Sequence, residues 1–304
     1  MAYLVTVDGR LIHDDNEYIY VYDPSVNFSP TIVLPDGSVA STVTGGESTS
    51  IFPDLGGNSL PCGIFVTPDE QYLYLTLQSQ ANIKIFDAAG HLIKYSDDIP
   101  NYTRNEEEVY MHDSKIYFMK DNQHMLHAYD EFTIVKHDLS GNYVNHYTHT
   151  GSNFHGVAFA EDSNNNIYFA SRYGFGIDKL DANMTLIEHL NSTKDILGLE
   201  IVNDKIYMAA YLDGFYSMNV DGTNLTQPFY PEKPTDVKLS ADGNTIYVVS
   251  YDNFLYFIDV ATGNTSYASL PYGRGMAASV NMYGDAIYIT GFNYTSGFLA
   301  YKTS

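Results

Sequence analysis

The sequence predicts an all-β chain built from seven four-stranded antiparallel units. Three observations carry that reading. A step of apolar residue, Tyr, apolar residue recurs seven times, with tyrosines at 20, 74, 117, 168, 207, 247 and 288. Short runs with the two-residue alternation of a half-buried strand flank most of these steps and end in turns bearing Asp or Gly. No segment keeps the 3.6-residue apolar period of an amphipathic helix.

Taken in chain order, the steps are Ile19-Tyr20-Val21, Leu73-Tyr74-Leu75, Ile116-Tyr117-Phe118, Ile167-Tyr168-Phe169, Ile206-Tyr207-Met208, Ile246-Tyr247-Val248 and Ile287-Tyr288-Ile289. Their spacings of 54, 43, 51, 39, 40 and 41 residues fall near the length of one propeller blade. Each Tyr is assigned to the second strand of its unit. There its ring fills the wedge between sheets while its hydroxyl reaches a loop or water. Upstream runs such as Gly156 to Asp162 and Asp236 to Gly243 read as innermost strands. Downstream, Asp138-Leu139-Ser140-Gly141, Asp221-Gly222 and Asp259 to Gly263 read as turns between third and fourth strands. Asp opens such a turn through its side chain, and Gly supplies the positive φ.

One four-stranded sheet cannot bury both faces, whereas seven set radially can. The expected architecture is therefore a seven-bladed β-propeller spanning 1–304 as a single domain. Gly9 to Tyr20 aligns without a gap on Gly63 to Tyr74, which leaves Ala2–Val7 as an extra strand in front. The last unit runs out after three strands. We expect Ala2–Val7 to complete that C-terminal blade and cover its open edge. Thr42–Pro61 and Asp121–Glu131 are expected as long loops on the ligand face.

Composition narrows the partners. The chain has 304 residues, with 37 Asp plus Glu against 15 Lys plus Arg, a formal charge of −22. That balance argues against nucleic acid and against an anionic membrane surface. No apolar run approaches the length of a membrane-spanning helix. The single Cys excludes a disulfide framework and Cys-based metal sites. The first residues show no secretory signal pattern.

The stretch from Pro234 through Val249, Pro-Thr-Asp-Val-Lys-Leu-Ser-Ala-Asp-Gly-Asn-Thr-Ile-Tyr-Val-Val, resembles the blade repeat of the YVTN and NHL type of β-propeller. Residues 61–90 and 155–182 resemble it more weakly. The resemblance implies the fold. YVTN-type repeats occur in microbial surface proteins and some lactonases, and NHL-type repeats in binding platforms. The related gluconolactonase-like hydrolases hold a divalent metal at the pore. Their Asn-Gly step at an inner strand is replaced here by Cys62-Gly63, His155-Gly156 and Thr235-Asp236.

In such a ring the loops entering each inner strand share one face with those joining second and third strands. The candidate ligand face comprises Asp8, Cys62, Glu106, Glu107, His155, Asp236 and Arg274. Asp8, Glu107 and Asp236 are the candidate metal ligands, suited to Ca²⁺ or Mg²⁺. With His155 as acid or base, His155, Glu107 and Asp236 are the candidate catalytic set. Cys62, though on that face, reads as a small buried filler rather than a nucleophile. His124-x-x-His127 and His146-x-x-His149 stand in a histidine-rich stretch; in strands, residues three apart point to opposite faces.

The sequence is read first as a non-enzymatic binding or structural propeller contacting protein or glycan, with an enzyme as the alternative. Such a propeller would belong to a virion, cell surface or secreted assembly, with a cytoplasmic setting as the alternative, and homo-oligomers are compatible with it. The enzyme would be a metal-dependent hydrolase, lactonase or lyase with its site at the pore mouth. No phosphate loop, nucleophile elbow or His-Glu-x-x-His motif is present.

Overall fold

A computed structural model describes residues 82–87, 92–102, 115–151, 154–229, 231–240, 242–251 and 254–267 in full, and elsewhere the backbone of the strands named below with a few side chains. Among the described residues there is no helix, and the strands form antiparallel sheets. The first sheet is β1 (Leu4–Val5), β2 (Leu11–Asp14), β3 (Ile19–Tyr22) and β4 (Thr49–Phe52). The second is β5 (Pro61–Val66), β6 (Tyr72–Leu77), β7 (Lys84–Asp87) and β8 (Leu92–Tyr95). The third is β9 (Ile116–Phe118), β10 (His124–Ala128), β11 (Thr133–Asp138) and β12 (Tyr143–Thr148). The fourth is β13 (His155–Glu161), β14 (Ile167–Arg172), β15 (Ile177–Leu180) and β16 (Leu186–Leu190). The fifth is β17 (Ile196–Val202), β18 (Lys205–Ala210), β19 (Gly214–Asn219) and β20 (Thr226–Phe229). The sixth is β21 (Pro234–Leu239), β22 (Thr245–Ser250), β23 (Phe254–Asp259) and β24 (Thr265–Ser269). The last has three strands, β25 (Arg274–Val280), β26 (Ala286–Asn293) and β27 (Ser296–Lys302). Each sheet is a meander in which sequence neighbours pair.

The core lies between sheets rather than within any one of them. Val157, Ala160, Tyr168 and Ile177 of the fourth sheet pack on Leu199, Ile206 and Met208 of the fifth. Leu126 and Ile134 of the third meet Phe159, Phe169 and Leu180 of the fourth. Val202, Ala209 and Phe215 of the fifth meet Val237, Ile246 and Val248 of the sixth. Burial falls outward along the fifth sheet, where all of β17 is buried and most of β20 is exposed; most of β16, the outer strand of the fourth, is exposed too. A strand buried on both faces carries a near-continuous apolar run, as Ile196-Leu197-Gly198-Leu199-Glu200-Ile201-Val202 does.

The inner strands adjoin in the order β13, β17, β21, β25, and β25 lies directly against β5, which in turn approaches β9. The first sheet stands elsewhere, with β1 and β2 beside β27. The proposed completion of the last blade by Ala2–Val7 is therefore corrected. Leu4 pairs with Ile12 and Val5 with Leu11, so β1 opens its own sheet and the last sheet keeps three strands. A strand joined to its neighbour by a short connection closes a local hairpin at far smaller entropic cost than a pairing between chain ends.

Two strand assignments also change. Ile116-Tyr117-Phe118 is the innermost strand of its sheet, and Ile19-Tyr20-Val21 belongs to a third strand. Leu126 opposes Lys136 as Tyr168 opposes Lys179, so Leu126 occupies the repeat position in the third sheet. It follows that Asp121–Glu131 is not a long loop, because it contains β10. Thr42–Pro61 likewise contains β4. The other five tyrosines do stand in second strands. Tyr74 and Tyr168 are fully buried. The Tyr74 hydroxyl donates 2.6 Å to the Leu139 carbonyl of the next sheet, and that of Tyr168 donates 3.2 Å to Asp162.

The expected turns form as read. Asp138 accepts from the Ser140 and Asn142 amides at 2.8 and 2.9 Å, and Asp162 from those of Asn164 and Asn166 at 2.8 and 2.9 Å. Gly141, Gly222, Gly243 and Gly263 take positive φ. These amide bonds favour the ionised carboxylate and hold both aspartates below the usual range, against a desolvation effect of opposite sign. Part of the −22 is thus structural, spent on turns.

Candidate functional site

Five inner strands carry a β-bulge at the same place. Cys62, Val157, Leu197, Thr235 and Met276 are the extra residues, each skipped in the register with the second strand. A bulged residue leaves the ladder and frees its backbone groups. In the fifth and sixth sheets those groups have a partner. The buried Lys115, which precedes β9, reaches across the ring and donates from Nζ to the Leu197 carbonyl and, at 2.7 Å, to the Thr235 carbonyl. Its ammonium also stands 3.2 Å from Asp236 Oδ1, a carboxylate that is itself buried. Gly198 makes room for this arrangement, since a Cβ there would lie 2.5 Å from the Asp236 Cα.

This decides one donor of the expected metal set. Asp236 is already answered by an internal cation, and a divalent ion there would face an ammonium. The surroundings of Asp236 do not fit a divalent metal. Asp8, Glu106 and Glu107 lie outside the described residues. Cys62 and Arg274 stand in β5 and β25 with side chains outside the described ones. Among the described residues no group of three or more His, Cys, Asp or Glu side chains is arranged to hold a metal ion.

His155 opens β13 at the face where the loops gather. Its backbone amide donates 3.0 Å to Ser171 Oγ. The next residue must be small: a Cβ on Gly156 would fall 1.8 Å from the Phe169 ring. The imidazole Nδ1 lies 3.0 Å from Glu131 Oε1, with the side chains 30% and 13% exposed. Glu131 comes from the β10–β11 connection, and its carbonyl accepts the Gly156 amide at 2.8 Å. The second-to-third-strand loop of one sheet therefore meets the entry to the next inner strand.

Within the fifth and sixth sheets the first-to-second-strand ladders run on to the same face: Tyr211 N donates to the Asp195 carbonyl at 2.8 Å, and Tyr251 N to the Lys233 carbonyl at 3.0 Å. On that face stand Tyr173, edge-on to His155 with centroids 5.0 Å apart, and Arg172, whose Nε lies 3.3 Å from Asp195 Oδ1. Glu131, Arg172, Tyr173, Asp195, Tyr211 and Lys115 were not singled out from sequence. Only the tyrosines leave a trace there, since Tyr211 and Tyr251 each stand four residues after a repeat Tyr.

No protein-family model matches the chain, and no curated protein matches it by sequence. Solved structures do resemble it. A catalytically inactive histidine-to-alanine variant of virginiamycin B lyase from Staphylococcus aureus, solved with quinupristin, superposes with a TM-score of 0.66 at 11% identity, covering 98% of this chain and 93% of that one. A streptogramin B lyase gives 0.58 at 17% identity, over 80% of this chain and 83% of the other. This chain has the β-propeller fold. At such identities the likeness shows fold alone.

Proposed function

We propose that the protein is a β-propeller enzyme of the lyase or hydrolase class, acting at the loop face that carries His155 and Glu131. The observation that carries this is the 3.0 Å contact from His155 Nδ1 to Glu131 on an accessible face. Support also comes from the two structural neighbours, both named as lyases. A carboxylate holding Nδ1–H fixes the imidazole tautomer and leaves Nε2 as a proton acceptor. Nε2 would take a proton from substrate carbon in an elimination, or from water in a hydrolysis, and return it to the leaving oxygen. Glu131 would steady the imidazolium between those two transfers.

The test incubates the purified chain with quinupristin and a panel of lactones and esters, read by mass spectrometry. Elimination that opens a ring leaves the mass unchanged, whereas hydrolysis adds one water. We expect His155→Ala and Glu131→Gln to lower turnover by about 10²-fold or more. Unchanged turnover in folded His155→Ala, or no consumption of any substrate by the folded wild-type chain, overturns the reading.

A second reading, a non-enzymatic platform for protein or glycan at a cell surface, in a virion or in a secreted layer, is favoured by the tyrosines of the same face. The seven repeated steps, with their resemblance to YVTN and NHL blades, favour seven blades in one domain over 1–304. A crystal structure would then place the first sheet between β25 and β5. Finding β25 against β5 there as well would leave six blades and an appended sheet.

A further inference from the structure

The loop face holds a continuous arc of rings and charges that acid–base chemistry at His155 does not require. Tyr173 touches His155. The Arg172 guanidinium lies over the Tyr173 ring at 5.1 Å and the Tyr211 ring at 6.0 Å. Tyr211 meets Tyr251 edge-to-face at 5.9 Å, and Lys233 Nζ stands 5.8 Å over Tyr251. The arc crosses the fourth, fifth and sixth sheets, with one Tyr supplied by each second-to-third-strand loop.

Backbone strain marks the same place. Of the nine described non-glycine residues with positive φ, six are Asn or Asp, which tolerate that conformation. The other three are Tyr173 at 60°, Lys233 at 49° and Met184 at 63°. Two of these three lie in the arc. A bulky side chain held in the left-handed region is strained and persists where the surroundings impose it, commonly at ligand sites. Tyr173 is 57% exposed despite that strain.

We propose that this arc binds a neutral oligosaccharide, laid across Tyr173, Tyr211 and Tyr251. The proposal rests on the same face as the enzymatic reading but not on turnover. The chemistry of the arc selects the ligand. Between the rings stand donors and acceptors, namely Glu131, Arg172, Asp195 and Lys233. A hydroxyl-rich chain offers partners of both kinds alongside apolar sugar faces that stack on Tyr. A polyanion is opposed by the −22 of the chain.

Calorimetry with neutral hexasaccharides of glucose, xylose and N-acetylglucosamine tests this on the full chain. At least one series should bind. Tyr173→Ala and Tyr251→Ala should each weaken that binding about tenfold, the loss of one stacked ring. Tyr267→Ala, on the outer strand β24 and 62% exposed, should leave it unchanged. Thermal melting of each variant confirms folding. Failure of all three series to bind the folded chain overturns the proposal, as does binding indifferent to Tyr251→Ala. Neither result touches the turnover assay, so the two readings fail separately.

Discussion

Two seams between neighbouring sheets solve the same packing problem with different chemistry. Between the third and fourth sheets, the outer part of the seam is polar. Asp178 is fully buried and accepts from the Tyr147 hydroxyl at 2.8 Å, with His149 Nδ1 at 2.6 Å and His189 Nδ1 at 2.7 Å. Asn145 adds a 2.7 Å bond to the Asn183 carbonyl. Between the fifth and sixth sheets the contact is aliphatic and aromatic, centred on Phe215 against Val237, Ile246 and Val248. Its buried carboxylate, Glu200, accepts the Ile201 and Leu239 amides, and burial raises its pKa. Apolar seams stabilise through area removed from water. The polar seam fixes which groups meet, because each buried donor must find its acceptor. Burial together with Asp178 also pushes the Tyr147 phenol up, so it remains a donor to the carboxylate at any ordinary pH.

Breaking the apolar seam should cost most. Phe215→Ala removes a fully buried ring and is expected to lower unfolding free energy by about 4 kcal/mol, measured by urea titration. A loss under 1 kcal/mol would mean that the seam collapses into the cavity, and the contrast would go with it. Asp178→Ala should cost about 2 kcal/mol. Three donors lose their acceptor, but His149 and His189 are partly exposed and can turn to water.

Acid should separate the two regions by a smaller margin. His137 is buried, and burial holds its pKa below the usual imidazole value against a 2.8 Å contact to the Asp97 carbonyl. Below the unfolded value of about 6.5 the unfolded chain binds the proton that the folded chain refuses, so stability is intact above that pH and falls as pH drops through it. No histidine follows His189. Hydrogen exchange at pH 5 against pH 7.5 should therefore show the third sheet opening more readily while the fifth and sixth keep their protection. Equal changes in both would remove His137 as the cause.

The regularity of the spacings shows where the sequence could be trusted. Intervals of 39, 40 and 41 residues join tyrosines that do share one structural position. The irregular intervals of 54, 43 and 51 all involve Tyr20 or Tyr117, which belong to a third and a first strand. An alternating apolar run looks the same in any strand of a blade, so pattern alone could not rank them. The site was less legible still. His155 was visible as a residue at a strand entry. Its partner Glu131 lies in what read as one long loop, and Arg172 and Asp195 stand at or near strand ends, where no periodicity marks them.

What the sequence determined by itself was the strand, the turn and the repeat, because alternation, Asp-capped turns and Gly at positive φ are local properties of the chain. What only the tertiary structure decided was partnership. Lys115 answers Asp236 from a residue more than a hundred positions away, β1 turns back on β2 rather than completing the last sheet, and Glu131 meets His155 across a seam. Such pairings depend on how twisted sheets stack round an axis, and burial then forces each charge or freed carbonyl to take the partner that geometry brings within reach.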